Sequence, residues 1–152
     1  MASLVQRMTT SYYQGSKLFD YLQPLALLAA RVYVASVFFS AGLTKLRDWD
    51  TTLFLFEEEY HVPFIPFELA AVLGTAGEII LPILLALGLL SRFSALGLTL
   101  VNVIAVVSLA EIAAAALYGH VIWGLLLLLV VVFGAGIASL DHFIENKLSK
   151  AN

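Results

Sequence analysis

The chain contains no cysteine. That excludes disulfides, thiol–disulfide exchange, cysteine-held iron–sulfur clusters and thiolate metal sites within this polypeptide. Charge is scarce as well. Of 152 residues, 12% are Asp, Glu, Lys or Arg and 61% are hydrophobic, whereas soluble domains average roughly 25% and 45–50%. The net charge of −3 is small and no basic run points to nucleic acid. No phosphate-cradling loop, nucleophile–base pattern or flavin-binding motif stands out. The first 20 residues hold no uninterrupted apolar stretch, so a cleaved signal peptide is not expected.

What the chain has in quantity is long apolar runs, at about 24–46, 67–90, 93–117 and 121–140. Each is near or above the roughly 20 residues that a transmembrane helix needs. Together they use most of residues 1–152, which leaves one integral membrane domain and no room for a soluble enzyme domain. The expected fold is an all-α membrane protein, an antiparallel four-transmembrane-helix bundle. Short connections at Gly88–Arg92 and at Tyr118-Gly119-His120 make sequential helices antiparallel neighbours.

Two smaller elements are expected beside the spans. Residues 2–21 read as a short interfacial helix, with Leu4, Val5, Met8 and Tyr12 near helical spacing and Tyr12, Tyr13, Phe19 and Tyr21 suited to the headgroup region. Pro24 then falls in the first turn of span one. Between spans one and two, Trp49, Leu53, Phe56 and Tyr60 share one helical face. They predict an amphipathic half-helix, capped by Asp50 and ended by His61-Val62-Pro63-Phe64-Ile65-Pro66. The tail from Asp141 to Asn152 is short and polar. Arg7, Lys17, Arg92, Lys147 and Lys150 fall on one side of the spans and Lys45 and Arg47 on the other. That imbalance places both termini in the cytoplasm, with the Glu57–Glu59 loop, His61 and His120 facing outward.

Four ionisable residues within or beside the spans are candidates for a polar centre: Arg31, Lys45, Glu78 and Glu111. A charge near hydrocarbon costs about 2.5–3.5 kcal/mol on insertion scales, so such residues pair or face a polar cavity. Arg31, Ala35, Phe38, Gly42 and Lys45 advance by alternating helical steps and form one stripe on span one. Glu78 lies near the middle of span two, and an Arg31–Glu78 pair is the leading expectation for the polar centre. A Lys45–Glu111 pair is the companion expectation, with a solvated interfacial Glu111 as its alternative. Asn102 lies round the helix from Glu111 and suits a helix–helix hydrogen bond. His61, His120 and His142 all fall outside the middle of the spans, so a haem held by two buried histidines is not expected. No ligand spacing supports a metal site, although His61 and His120 share the expected outer face with Glu57–Glu59.

These residues resemble the DoxX family of small bacterial membrane proteins. The resemblance rests on Arg31-Val32-Tyr33 through Ala41-Gly42-Leu43-Thr44-Lys45-Leu46, then Gly74-Thr75-Ala76-Gly77-Glu78, Leu87-Gly88-Leu89-Leu90-Ser91-Arg92 and Gly134-Ala135-Gly136-Ile137-Ala138-Ser139-Leu140-Asp141. It covers about residues 25–143. It implies a four-helix subunit of the bacterial cytoplasmic (inner) membrane. The family's name comes from a quinone-linked thiosulfate oxidoreductase subunit. Other members resemble components of membrane redox-stress complexes, and some accompany metal-dependent peptide-modifying systems. Thiol-redox relatives would need cysteines, which this chain lacks. Arg31, Lys45 and Glu78 match recurring polar positions of the family.

Three functional readings compete. The first is a redox-linked subunit that binds a quinone through Arg31, Glu78 and aromatics such as Tyr33, with a partner protein exchanging the electrons. The second is a non-catalytic anchor or assembly factor for a partner enzyme, or a homo-oligomer, in which the polar centre only specifies packing. The third is a small transport component in which Glu78 relays protons or metal ions; no paired broken helices speak for it.

Overall fold

A computed structural model describes residues 3–150. Ala2 of the expected interfacial stretch and residues 151 and 152 of the tail lie outside the described residues. The described chain is all-helical: α1 (Leu4–Arg47), α2 (Trp49–Glu58), α3 (Phe67–Leu87), α4 (Ser91–Val107), α5 (Ala114–Phe133) and α6 (Leu140–Ser149). α1, α3 and α5 are long and apolar enough to cross a membrane, and α4 is a shorter apolar helix of 17 residues.

Helix α1 corrects the expected break between an interfacial helix and a first span. It runs unbroken for 44 residues with Pro24 inside it. Its start is fixed by a reciprocal capping box: the Gln6 N–H donates to Ser3 Oγ at 3.3 Å and the Ser3 N–H to Gln6 Oε1 at 3.0 Å. Pro24 forfeits one hydrogen bond, to the carbonyl of Asp20 one turn back. Asp20 is exposed, so water can satisfy that carbonyl. Burial in α1 begins only at Leu27. Residues 4–23 therefore form an arm of roughly 30 Å beyond the packed helices, at about 1.5 Å per residue.

Three other boundaries differ from expectation. α2 is capped by Asp48, not Asp50: its carboxylate accepts from the Thr51 N–H at 3.0 Å and from the Thr51 hydroxyl at 2.7 Å. The apolar run 93–117 is not one helix. α4 stops at Val107, where the Ser108 hydroxyl turns back on the Ile104 carbonyl at 2.6 Å, and α5 starts at Ala114. Tyr118, Gly119 and His120 are thus inside α5, not in a connection. The tail folds too, as α6, where Ser139 Oγ accepts from the His142 N–H at 3.2 Å.

Contacts define how the helices run. Lys45 meets Glu78 while Arg31 lies against Gly88, so α1 and α3 are opposed. Gly77 faces Val101 and Gly97 faces Leu81, so α3 and α4 are opposed. Asn102 meets His120 and Arg92 reaches the Val132 carbonyl, so α4 and α5 are opposed. Val34, Phe38, Leu85, Ala95, Leu98, Leu127 and Val130 form the core between them. α2 lies across α3 and α1, with Phe56 on Ala70 and Ala71 and with Trp49, Leu53 and Tyr60 around it.

One end of this assembly is tied by side chains distant in sequence. α3 ends in a Schellman turn: Gly88 adopts φ 69°, its N–H donates to the Leu85 carbonyl at 3.1 Å, and the Leu89 N–H donates to the Leu84 carbonyl at 2.9 Å. A Cβ on Gly88 would collide with Arg31 Nη1 and come within 2.5 Å of the Ser139 Cβ, so only glycine fits. Leu90, the residue before α4, offers no side-chain cap. Asp141 supplies one across the fold, its two oxygens accepting from the N–H groups of Leu90 and Ser91, each at 2.8 Å. Arg31 is fully buried here and donates from Nη2 to the Ala138 carbonyl at 2.6 Å.

Burial alone would raise the Asp141 carboxyl. The hydrogen bonds from Ser91 and Leu90 and the nearby Arg31 guanidinium outweigh it and hold the carboxyl below its ordinary value. A depressed carboxyl stabilises the fold above its unfolded value and loses that contribution as pH falls through the folded one. Asp141→Asn should therefore lower the melting temperature at pH 7, at a cost of about 1–2 kcal/mol, typical of a lost helix cap. The gap between variant and parent should close as melts are taken below about pH 4. A gap independent of pH would show that the charge of Asp141 is not what matters.

Candidate functional site

At the other end of α1 the stripe that begins at Arg31 ends at Lys45, about 21 Å further along the helix. Gly42 sits one turn before Lys45 at a close approach of α1 to α3; a Cβ there would meet Ile79 Cδ1 at 2.9 Å and Glu78 Cβ at 3.0 Å. That approach lets the Lys45 ammonium reach the Glu78 carboxylate, Nζ to Oε2 at 2.5 Å. Glu78 is buried and Lys45 half-buried. Neither alternative pairing is formed. Glu78 pairs with Lys45 rather than Arg31, because Arg31 lies level with Gly88, just past the end of α3, and Glu78 ten residues before Gly88. Glu111 is exposed, in the non-helical stretch between α4 and α5, and pairs with no cation among the described residues.

The ion pair opens onto a pocket of about 510 Å³ between α1, α3, α4 and α5. Its wall is largely apolar and aromatic, including Phe38, Phe56 and Trp123, and its polar members include Lys45, Glu78, Tyr60 and His120. The α2–α3 connection closes one side. Tyr60 pairs with Leu109 in an isolated antiparallel bridge, and the His61 N–H donates to the Ser108 carbonyl at 2.8 Å. The Thr52 hydroxyl, at 2.9 Å from both the Lys45 and Asp48 carbonyls, pins α2 to the end of α1. Burial raises the Tyr60 hydroxyl above its ordinary value, and the Glu59 and Glu78 carboxylates add to that rise. Tyr60 is therefore a protonated donor at neutral pH.

His120 joins the pocket from α5 because α5 begins earlier than the sequence suggests. Asn102 on α4 donates from Nδ2 to the His120 carbonyl at 2.9 Å, and its Oδ1 lies 2.8 Å from His120 Nδ1. Gly124, one turn on, leaves room for the Asn102 amide at 3.4 Å from where a Cβ would be. Trp123 stands edge-on to both His120 (centroids 5.0 Å apart, 72°) and Phe38 (5.9 Å, 71°). The helix formers Ala113–Leu117 just before Tyr118 were the sequence signal that His120 is helical.

Other sequence candidates lie elsewhere. Tyr33 is on the exposed outer face of α1. His61 is exposed and its ring lies 3.2 Å from the Glu59 carbonyl, so it does not meet His120. Among the described residues no three His, Asp or Glu side chains converge on a metal-sized site.

Apolar helices with exposed Leu, Ile, Val and Phe outside and an ion pair inside define an integral membrane protein. The chain belongs to the DoxX family, whose profile matches residues 26–111. It is also 32% identical over 130 residues to an uncharacterized protein of Haemophilus influenzae, a match that covers 80% of this chain and 84% of that protein. No solved structure matches.

The pair makes a measurable demand. Glu78→Gln or Lys45→Met alone strands the other charge. Exposed pairs contribute under about 1 kcal/mol and broken buried pairs cost about 3–5, so each single change should cost about 2–4 kcal/mol. The double change Lys45→Met with Glu78→Leu should recover most of that loss in thermal melts of detergent-solubilised protein. Additive losses would show that the two charges act independently.

Proposed function

We propose that this chain is a four-span protein of the bacterial cytoplasmic membrane, with both termini in the cytoplasm, that acts as the quinone-binding subunit of a redox complex. The pocket beside Lys45 and Glu78 carries the reading. Its volume of about 510 Å³ lies within the range of small-molecule sites, about 300–1,000 Å³. A quinone head is flat, apolar on both faces and edged by carbonyl acceptors. The pocket offers aromatic faces in Phe38, Phe56 and Trp123, and donors in the Lys45 ammonium and the Tyr60 hydroxyl. Glu78 holds Lys45 in place and balances its charge. The residues of this chain bind and orient; a protein partner exchanges the electrons.

Several features support the membrane placement. The spans are α1 from about Pro24 onward, α3, α4 and α5. α4 is roughly 26 Å long at about 1.5 Å per residue, slightly less than the hydrocarbon thickness, and residues 108–113 make up the difference. Arg92 and the α6 lysine Lys147 share the end at which the α1 arm emerges, while Lys45 and Arg47 mark the other end, the asymmetry of a protein with cytoplasmic termini. The α2 half-helix rests on α3 at Gly74 and lies at the outer interface. A second reading, a non-catalytic anchor for a partner, is favoured by the α1 arm, where Leu4, Val5, Met8, Tyr12 and Phe19 are all exposed.

The test is extraction from native membranes in mild detergent, with mass spectrometry of everything that co-elutes. Near-stoichiometric quinone is expected with the parent chain, and at least tenfold less with a folded Lys45→Met variant. A protein partner without quinone would overturn the quinone reading in favour of the anchor.

A further inference from the structure

The second polar couple of the pocket, Asn102 with His120, constrains the ligand more sharply than the ion pair does. We infer that His120 presents a bare Nε2 as a fixed hydrogen-bond acceptor, so that the pocket selects a ligand carrying a ring hydroxyl, a hydroquinone rather than a quinone. This rests on the quinone pocket proposed above and adds the form of the ligand and the residue that reads it.

The amide of Asn102 can point only one way. One of its ends lies 2.9 Å from the His120 carbonyl, which only accepts, so that end is the NH2 group. Oδ1 is then the end that faces His120 Nδ1 at 2.8 Å. An amide oxygen only accepts, so Nδ1 must carry a hydrogen. A neutral imidazole has one N–H, which leaves Nε2 as a lone-pair acceptor. Nε2 has no hydrogen-bond partner and is not a sealed atom among the described residues, and His120 lines the pocket. Trp123 against the ring edge holds its plane. A quinone carbonyl would set acceptor against acceptor at this point, whereas a hydroquinone hydroxyl donates to Nε2. The second ring oxygen can accept from Lys45 or donate to Glu78, so the ion pair tolerates either form and His120 discriminates.

Two measurements test this on the full chain in detergent. First, the side chains of His61 and His142 are not among those that line the pocket, and a His61→Gln/His142→Gln variant leaves His120 as the single histidine. Imidazole ¹⁵N shifts of that variant should report the Nδ1–H tautomer at neutral pH. An Nε2–H tautomer would overturn the inference, whatever other variants do. Second, a short-chain hydroquinone and its dimethyl ether, which keeps the ring but has no O–H, are compared as ligands. The hydroquinone should bind about tenfold more tightly, the worth of one good hydrogen bond. His120→Phe should abolish that preference, and His120→Gln, which keeps an acceptor, should retain part of it. A preference that persists in a folded His120→Phe would overturn the assignment to His120. Equal binding of both ligands by the parent would overturn hydroxyl selection and leave the quinone pocket standing. Failure of the parent to bind either would overturn the quinone reading itself, and the ligand assigned here with it.

Discussion

A charge carried into hydrocarbon must find its compensation inside the protein, and α1 carries two of them on one stripe. Arg31 and Lys45 sit at opposite ends of that stripe, and each dictates what lies opposite. At the Lys45 end, Gly42 lets α3 approach until Glu78 can be reached. At the Arg31 end, Gly88 removes the Cβ that would collide with the guanidinium. The hydrophobic effect does little to hold helices together in lipid, so close approach at small residues and interhelical polar contacts set the register. The two cations thus fix how far α3 slides along α1, and the rest of the packing follows from that register.

The two ends differ in character. Around Arg31 the chain is closed: the Schellman turn of α3, the cap that Asp141 gives to α4 and the carbonyl of Ala138 all converge on one buried guanidinium. Such a knot ties three connections together at once, beside a cavity of about 440 Å³ between the start of α4 and α6. Around Lys45 the chain is open. There the helices leave a pocket beside the Lys45–Glu78 pair, and α2 with its following connection closes over it through Thr52 and the Tyr60–Leu109 bridge. A rigid base beneath a lined pocket is the arrangement in which a few polar groups can be held at fixed positions.

The helical class, and Arg31, Lys45 and Glu78 as charges held among the helices, were legible from apolar runs interrupted by single charges. Their partners were not. Sequence places residues at a depth along a helix only when the helix limits are known, and those limits were misplaced at several points. Pro24 suggested a break, yet one exposed carbonyl could be satisfied by water and α1 continued. The long apolar run after Arg92 hid the end of α4, because the helix gives way not at a glycine or proline but where the distant Tyr60–His61 segment bonds to Ser108 and Leu109. That shift moved His120 from a loop into α5, where Asn102 meets it. Asp141 as a cap for α4 was beyond reach of any local pattern, since the capped residues lie fifty positions earlier.

The family match stops at residue 111, before α5 begins. Residues 26–111 contain Lys45, Glu78, Tyr60 and Asn102, whereas His120 and Trp123 lie beyond them on α5. The ion pair and the residue that orients His120 therefore belong to the matched segment, and the acceptor and its aromatic support do not. On the proposed reading, the segment that defines the family builds a charged, apolar-walled pocket, and α5 decides which ring chemistry that pocket accepts. On that reading a change at position 120 alters ligand form and leaves the Lys45–Glu78 pair in place, because among the described residues no hydrogen bond or ion pair links His120 to either group.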